Sequence, residues 1–346
     1  MRKLIVVLLL GGGLWSGYWF AGSTALRQGV EGWFTDQTAR GLTAEKSALE
    51  VKGFPNRFDL RVEGVTLADP ATGFGWQAPF AEVYSMTWKP WHIIAALPPE
   101  QVITTPGETI VLTSEGLLAS FRARPTLDLP LAVVGLESGA ISATSDAGWT
   151  FGARRAAVSL KAADVVSGEA GVDPVPAEAA TYILVLDLEG LTPDPAEMAV
   201  ITANADLPPV IDAVRVLGSA QLSAPLDRNF DAARVTPLGL KLDRLDILWG
   251  QLQVQASGTL VPDAEGFAQG RIDIAVTNWQ PLVPVMVAAG TIKPELALTV
   301  ENMLAGLAKG GGDPNVVNLP LVMREGWMSL GPLPLGPAPR MTGPTG

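Results

Sequence analysis

Apolar and polar residues alternate in NRFDLRVEGVTLADP, residues 56–70, and this alternation limits the possible folds more than any other feature. Phe58, Leu60 and Val62 fall on one side of an extended chain, and charged residues fall on the other. This period of two predicts a β-strand with one buried face. Past Gly64 the apolar residues shift by one position. We therefore predict a β-bulge at Gly64, which bends the strand while one apolar face continues.

The same alternation recurs along most of the chain, between turns formed from its 37 glycines and 28 prolines. Alternating segments begin at Leu127, Tyr182, Leu252 and Ile272, and a turn near 262–266 joins the last two as a hairpin. The predicted fold class is mainly β, a β-rich α+β protein. In it, an N-terminal transmembrane or signal helix is followed by an extended, curved antiparallel sheet with a few capping helices.

Three segments of the body have helical periodicity or helix-boundary signals. Residues 208–218 begin on two prolines and stop at Gly218, and residues 278–290 predict a shorter helix. Residues 295–312 follow Pro294 and end in a glycine run. One side of this last segment is apolar and consists of Leu296, Val300, Met303, Leu304 and Leu307.

The first 22 residues, MRKLIVVLLLGGGLWSGYWFAG, have the composition of an export signal. Arg2 and Lys3 are followed by an uncharged stretch, and positive charge at the start keeps the amino terminus in the cytoplasm. The body is therefore expected on the other side of the membrane. The apolar stretch is just long enough to span a bilayer, and a clean small-x-small cleavage site is lacking. We predict a retained signal anchor over residues 1–22, with a cleaved signal as the alternative.

Residues 23–41 predict an amphipathic linker helix that continues from the anchor and stops at Gly41. Its apolar stripe consists of Leu26, Val30, Trp33 and Phe34. We expect this stripe to pack on the domain, with the membrane surface as the alternative. Residues 42–346 form the β-rich domain, and a loop-like composition at 167–179 marks a possible subdivision.

Composition excludes several kinds of chemistry. The chain has no cysteine, which excludes disulfides, thiolate metal sites and cysteine nucleophiles. Its net charge of -11, without a local basic patch, argues against nucleic acid as a partner. The only histidine, His92, lies among tryptophans and isoleucines, so we expect a partly buried structural residue. We predict no enzyme activity, no cofactor and no metal site.

Paired carboxylates are the one catalytic pattern that stays open. Asp243 with Asp246, and Asp187 with Glu189, are close enough in sequence to serve as acid and base in a two-carboxylate hydrolase. With 35 acidic residues in the chain, such pairs are also expected by chance. A hydrolase of envelope glycan is therefore kept as an alternative function.

Three segments carry a family resemblance: VKGFPNRFDLRVEGVTLADP, LDILWGQLQVQASGTLVPDAEGFAQGRIDIAVTNWQPLV and LPLVMREGWMSLGPLPLGPAPRM. Together with the export anchor they resemble the uncharacterised envelope proteins of alphaproteobacteria grouped as domain of unknown function 2125, over nearly the whole chain. A weaker resemblance is to AsmA-like envelope proteins, which are anchored in the inner membrane and build a long curved sheet with an apolar groove. The resemblance implies a single-pass inner-membrane protein with its body in the periplasm, and a cleaved signal would give a soluble periplasmic form instead. It also implies lipid handling or envelope maintenance, and it supplies no catalytic residues.

Our leading hypothesis is a non-enzymatic, membrane-anchored periplasmic protein whose sheet shelters an apolar ligand, such as the acyl chains of a phospholipid or another envelope lipid. The sequence is 48% hydrophobic and only 17% charged, which favours a sheltered apolar surface. The candidate groove residues are Phe58, Leu60, Val62, Val254, Ile272 and Ile274. A sealed core is the alternative position for these side chains. A scaffold that binds envelope proteins through a sheet edge or through its acidic surface is a further alternative function.

Overall fold

The computed structural model describes residues 1–163, 179–203, 205–231 and 235–341. These residues form twenty strands and four α-helices, and the strand pairs with described registers run antiparallel. The predicted fold class, mainly β with an apolar N-terminal helix, is confirmed. The subdivision predicted at 167–179 lies almost wholly outside the described residues and stays a prediction.

The elements are numbered along the chain. The first ten strands are β1 Thr43–Glu45, β2 Ala48–Lys52, β3 Arg57–Asp69, β4 Phe74–Met86, β5 Lys89–Ala96, β6 Glu100–Thr105, β7 Glu108–Ser114, β8 Leu118–Ala123, β9 Leu131–Ser138 and β10 Ile141–Ser145. The other ten are β11 Thr150–Ala153, β12 Arg155–Ala162, β13 Ala180–Leu191, β14 Ile211–Leu222, β15 Pro237–Trp249, β16 Leu252–Pro262, β17 Ala268–Thr277, β18 Val316–Arg324, β19 Trp327–Leu330 and β20 Leu333–Pro337. The helices are α1 Arg2–Ala39, α2 Pro195–Thr202, α3 Leu282–Ala288 and α4 Ala297–Gly310, with a 3-10 turn at Pro294–Leu296.

Contacts along the chain define two compact units. Unit 1 comprises residues 1–125 and 134–150, and unit 2 comprises residues 126–133 and 151–346. In unit 1, the long hairpin of β3 and β4 is the centre of a sheet. On one side β1 and β2 pair in succession along β3, and on the other side β5 and β6 pair with β4. The sheet continues through β8 on β5, and through β7 and β10 on β6.

Helix α1 is a single unbroken helix of 38 residues, so the predicted anchor and linker helix form one element. At 1.5 Å per residue its length is about 57 Å. It ends at Ala39 and is capped by Arg40, whose backbone N–H bonds the carbonyl oxygens of Asp36 and Gln37, and Gly41 follows with a φ of +89°. This left-handed conformation suits glycine and turns the chain into β1.

The predicted bulge at Gly64 is wrong. The pairs Glu63–Phe80 and Val65–Ala78 share one register, so β3 gains no extra residue against β4 as it passes Gly64. The pairings of β3 with β2 and β1 keep one register as well. Gly64 instead adopts a φ of +57°, which moves the buried side from even to odd positions, and the apolar face continues in Val65. The left-handed conformation of Gly64 thus keeps the apolar face continuous, which is the effect that we predicted for an inserted residue.

Unit 2 contains an antiparallel meander in which strands β12 to β20 pair in chain order. Helix α2 lies in the connection between β13 and β14, and α3 and α4 lie in the connection between β17 and β18. These helices pack with the ends of the strands in one core. It contains Met198, Leu207, Trp249, Leu252, Val276, Trp279, Val283, Val300, Leu304, Val317 and Leu319.

The helices predicted at 278–290 and 295–312 are confirmed as α3 and α4. The helix predicted at 208–218 is wrong, because this segment enters β14, a central strand that pairs with both β13 and β15. Its β-branched residues favour an extended chain, and two ladders of backbone hydrogen bonds outweigh the helical spacing. The strand predicted at Leu127 is also wrong: β9 begins only at Leu131, after Pro130, and the Leu127 side chain is 89% exposed.

Candidate ligand-binding site

The second half of α1 lies on the sheet of unit 1. Phe34 of the helix is buried with Leu60, Val62 and Val65 of β3, and the partly buried Leu26 and Val30 pack against the same cluster. These side chains recur on one face of α1 and meet the apolar face of β3 and β4. The predicted amphipathic stripe therefore packs on the domain.

The aromatic ring of Phe58 extends this contact toward the N-terminal half of the helix. Trp19 stacks on Phe58 with 6.2 Å between the ring centroids, and the Trp19 Nε1–H donates a 2.7 Å hydrogen bond to the carbonyl oxygen of Arg57. Phe58, Leu60 and Val62 are all buried. Three of the predicted groove residues thus contact α1 and the core of unit 1, and a role for them in binding a ligand stays a prediction.

The other three predicted groove residues belong to unit 2. Val254 and Ile274 are partly buried and pack against the core beneath the helices of that unit. Ile272 is half-buried on the same strand as Ile274. The candidate residues are therefore divided between the two units.

An apolar pocket of about 380 Å³ lies beside the contact between α1 and the sheet. It is open to the surface, and we call it the Trp33 pocket. Its lining is formed by α1, the residues after it, β1, β3 and β4, and consists of Trp33, Gln37, Leu42, Thr43, Ala44, Leu67, Ala68, Asp69, Phe74, Gly75 and Trp76. Trp33 and Phe74 are 45% and 56% exposed, so their rings border the opening. Trp76 is fixed by a 2.9 Å hydrogen bond from its Nε1–H to the side-chain oxygen of Gln101.

Sequence reasoning missed this pocket. Trp33 was assigned to the packed stripe of α1, but it lies at the edge of that stripe. Its neighbours in the pocket come from both ends of the β3–β4 turn and from β1, elements whose meeting the sequence does not reveal. The signal available in the sequence was the excess of tryptophan, with ten tryptophans against three tyrosines. Large aromatic side chains that stay exposed often border a binding site.

Asp69 is the charged side chain among the described lining residues of the Trp33 pocket. Its pKa is lowered, first by the hydrogen bond from the backbone N–H of Ala71 and then by the hydroxyl of Thr72. The carboxylate therefore stays ionised at neutral pH and gives the rim of an otherwise apolar pocket a negative charge.

A second polar group lies in the centre of the β3–β4 hairpin. The Tyr84 hydroxyl and the Arg61 guanidinium both donate hydrogen bonds to Glu82, and these bonds lower the pKa of the Glu82 carboxyl. Arg61 also lies over the ring of Phe80, with its Cζ 4.3 Å from the ring centroid. This group cross-links the hairpin through side chains.

The paired carboxylates lie beside cations. Asp246 is only 6% exposed and accepts hydrogen bonds from Arg244 and from Gln255, the latter at 3.1 Å. Asp243 pairs with Lys241 at 3.1 Å, Asp187 with Arg215 at 3.4 Å, and Glu189 with Arg154 and Arg155 at 3.8 Å. This pattern is typical of ion pairs along a sheet face. The hydrolase alternative stays untested.

His92 lies half-buried in β5, opposite Arg122 of β8. Within the described ranges, acidic and histidine side chains form no group of three or more with the spacing of a metal site. Helix α1 is long and apolar enough to cross a bilayer, and only 6% of its most apolar stretch is buried. By length and composition it qualifies as a membrane anchor or as a signal sequence.

The structure thus defines a mainly β protein whose apolar N-terminal helix is half bare and half packed on a sheet. Residues 19–339 match the family described as an uncharacterized protein conserved in bacteria, domain of unknown function 2125, and the chain belongs to this family. Comparisons with curated proteins and with solved structures give no match. Membership of domain of unknown function 2125 is confirmed, whereas the alphaproteobacterial origin, the envelope location and the resemblance to AsmA-like proteins stay predictions.

Proposed function

We propose that this chain is a non-enzymatic, membrane-anchored protein whose body lies in the periplasm and holds an acyl chain of an envelope lipid in the Trp33 pocket. Its role is to keep that lipid available, or in place, at the inner membrane. The observation that carries the proposal is the open apolar pocket on the same helix that has the length and composition of the anchor.

The pocket has the properties of a small-molecule site. Its volume of about 380 Å³ lies within the range of roughly 300–1,000 Å³ that is usual for such sites. Aromatic and aliphatic groups form most of its lining, and its polar side chains are Gln37, Thr43 and Asp69. An acyl chain offers no hydrogen-bonding groups, so this lining suits it well.

The charge of the rim favours one kind of lipid. An ionised Asp69 repels an anionic headgroup and attracts an amine. We therefore expect a zwitterionic lipid such as phosphatidylethanolamine to bind in preference to phosphatidylglycerol.

The test is photo-crosslinking of the full chain in vesicles that contain a phospholipid with a diazirine on its acyl chain, followed by peptide mass spectrometry. Adducts on the bare part of α1 are expected for any anchored chain. Adducts on the segment 67–76, which lies away from the anchor, support the proposal, and their absence contradicts it.

A matched pair of variants tests the pocket itself. Phe74→Ala removes an exposed ring from the lining, and Phe121→Ala removes a ring from β8 that is 41% exposed and lies outside the lining. Burial of one aromatic side chain is worth about 1.5–3 kcal/mol, so Phe74→Ala should lower crosslinking at 67–76 about tenfold. Phe121→Ala should leave it unchanged, and an equal loss in both variants argues against the pocket.

A further inference from the structure

We infer that two loops of unit 1 enter the bilayer beside α1, on the side of the membrane where the body lies. The first loop is 53–56, between β2 and β3, and the second is 87–88, between β4 and β5. We call them the junction loops. The inference rests on the proposed retention of the anchor, but it is independent of the lipid in the Trp33 pocket.

Three hydrogen bonds fix the junction loops and the start of β3 to the helix. The Trp15 Nε1–H donates to the carbonyl oxygen of Pro55 at 3.0 Å, and the Tyr18 hydroxyl donates to that of Thr87 at 2.8 Å. The third is the bond from Trp19 to the carbonyl oxygen of Arg57 at 2.7 Å. The body therefore contacts α1 from residue 15 onward.

The length of the helix shows where this contact lies relative to a bilayer. From Lys3, the last charge before the apolar stretch, to Trp15 there are twelve residues, which rise about 18 Å along the helix axis. The hydrocarbon core is about 30 Å thick and needs about 20 residues. The first contact with the body thus lies within the hydrocarbon core, roughly 12 Å before the helix leaves it on the side of the body. A tilted helix rises less along the membrane normal, so tilt increases this overlap.

The side chains around the junction loops suit that depth. Phe54, Met86 and Trp88 are 53%, 41% and 49% exposed, and Phe20 of the helix is 60% exposed. The rings of Phe20 and Phe54 stack with centroids 5.8 Å apart. On a body wholly in water these apolar groups would form an exposed patch, whereas at a membrane interface aromatic side chains are favoured.

Several backbone groups of the junction loops are hydrogen-bonded within the protein. The Thr87 N–H donates to the carbonyl oxygen of Asn56 at 3.1 Å, and the Asn56 N–H donates to that of Gly53 at 3.1 Å. The carbonyl oxygens of Pro55 and Thr87 accept the bonds from α1, and Pro55 has no N–H. Because unpaired backbone groups are costly in hydrocarbon, these bonds lower the cost of inserting the two loops.

Charged residues border the patch rather than interrupt it. Lys89 begins β5 directly after Trp88, and the Arg57 side chain, half exposed, pairs with Asp59 at 2.7 Å. Long cationic side chains at this position reach the headgroups while their stems stay in the apolar layer. The continuity of the patch with the bare half of α1 identifies the bilayer as its partner.

The experiment uses the lack of cysteine in the chain. Single-cysteine variants of the full chain carry a spin label in vesicles of phosphatidylethanolamine and phosphatidylglycerol, and collision with oxygen is compared with collision with a water-soluble nickel chelate. Phe54→Cys and Trp88→Cys report on the junction loops. Leu8→Cys reports on the span, and Ala71→Cys reports on the exposed turn at the other end of the β3–β4 hairpin.

We expect labels at positions 54 and 88 to be open to oxygen and protected from nickel, as at position 8, with an oxygen-to-nickel ratio several-fold above that at position 71. Labels at 54 and 88 that match position 71, while position 8 is protected, overturn the inference and leave the anchor intact. Nickel access at position 8 as well overturns both the retained anchor and the inference. Crosslinking at 67–76 reports on the acyl ligand separately, and unchanged thermal unfolding of each variant confirms that the label has not disturbed the fold.

Discussion

Gly22 of α1 lies against the ring of Phe58 in β3, so closely that a Cβ atom at position 22 would come within 2.7 Å of the ring Cζ. The ring is held in place by Trp19, which stacks on it, and by its burial in unit 1. The helix reaches the sheet at this point because glycine has no side chain.

A glycine-to-alanine pair on α1 tests this close approach. Inside a helix, alanine is more favourable than glycine by about 1 kcal/mol. Gly29, which has open space around its Cα, should show this gain in the free energy of unfolding when changed to alanine. Gly22→Ala should lose the gain or destabilise unit 1, because Phe58 must shift. Urea unfolding of the full chain in detergent measures both, and equal stabilisation by the two changes would refute the contact.

Gly64 offers a test of the left-handed residue in β3. A side chain with a branched Cβ is strained at a φ of +57°, and a Cβ atom there would lie 2.7 Å from the Ser47 Oγ. We expect Gly64→Val to destabilise the protein by about 2 kcal/mol or more and Gly64→Asn to cost less, since asparagine tolerates the left-handed region. Thermal unfolding of both variants gives the order, and a reversed order would contradict our account of the strand.

Helix α4 provides a matched pair for the core of unit 2. Leu304 is 2% exposed and Leu298, on the same helix, is 68% exposed. Leu304→Ala leaves a cavity and should lower the free energy of unfolding by about 2–5 kcal/mol. Leu298→Ala should change it by no more than about 0.5 kcal/mol. Denaturant unfolding measures the difference, and similar losses would mean that α4 packs through another face.

The Glu82 group predicts a dependence of stability on pH. The bonds from Tyr84 and Arg61 lower the pKa of Glu82 in the folded state from its ordinary value of 4.5. The resulting stabilisation is fully present above that ordinary value and is lost as the pH falls through the lowered pKa. Glu82→Gln should therefore destabilise the protein at neutral pH, and its deficit should shrink in acid. Unfolding measured across the acid range tests this, and a deficit that stays constant with pH would speak against the shift.

The sequence identified the parts of the fold that depend on local pattern. Period two in residues 56–70 predicted β3 and its buried Phe58, and the glycine run after Lys309 marked the end of α4. Residues 208–218 misled the prediction because Ile211, Val214 and Leu217 recur at helical spacing in a segment that pairs with a strand on each edge. Only the pairing with β13 and β15, which the local sequence does not contain, decides between the two.

Helix α2 escaped prediction although its start carries a recognisable signal. Asp194 accepts bonds from the N–H groups of Ala196 and Glu197 at 2.9 and 3.3 Å, and Pro195 occupies the first helical position. The helix is only eight residues long, too short for its apolar period to be distinct. The Trp33 pocket is a different case, because it is formed from segments that are distant in sequence.

Helix α1 has no break between its bare half and the half that packs on the sheet. The sheet of unit 1 is therefore attached to the N-terminal half of the helix through a continuous helix and not through a flexible linker. From Trp19 to Trp33 the helix rises about 21 Å. Measured from Lys3, Trp33 lies thirty residues or about 45 Å along the helix, so in a membrane-anchored chain the Trp33 pocket lies about 15 Å beyond a hydrocarbon core of about 30 Å. An acyl chain therefore reaches the pocket only by leaving the hydrocarbon core.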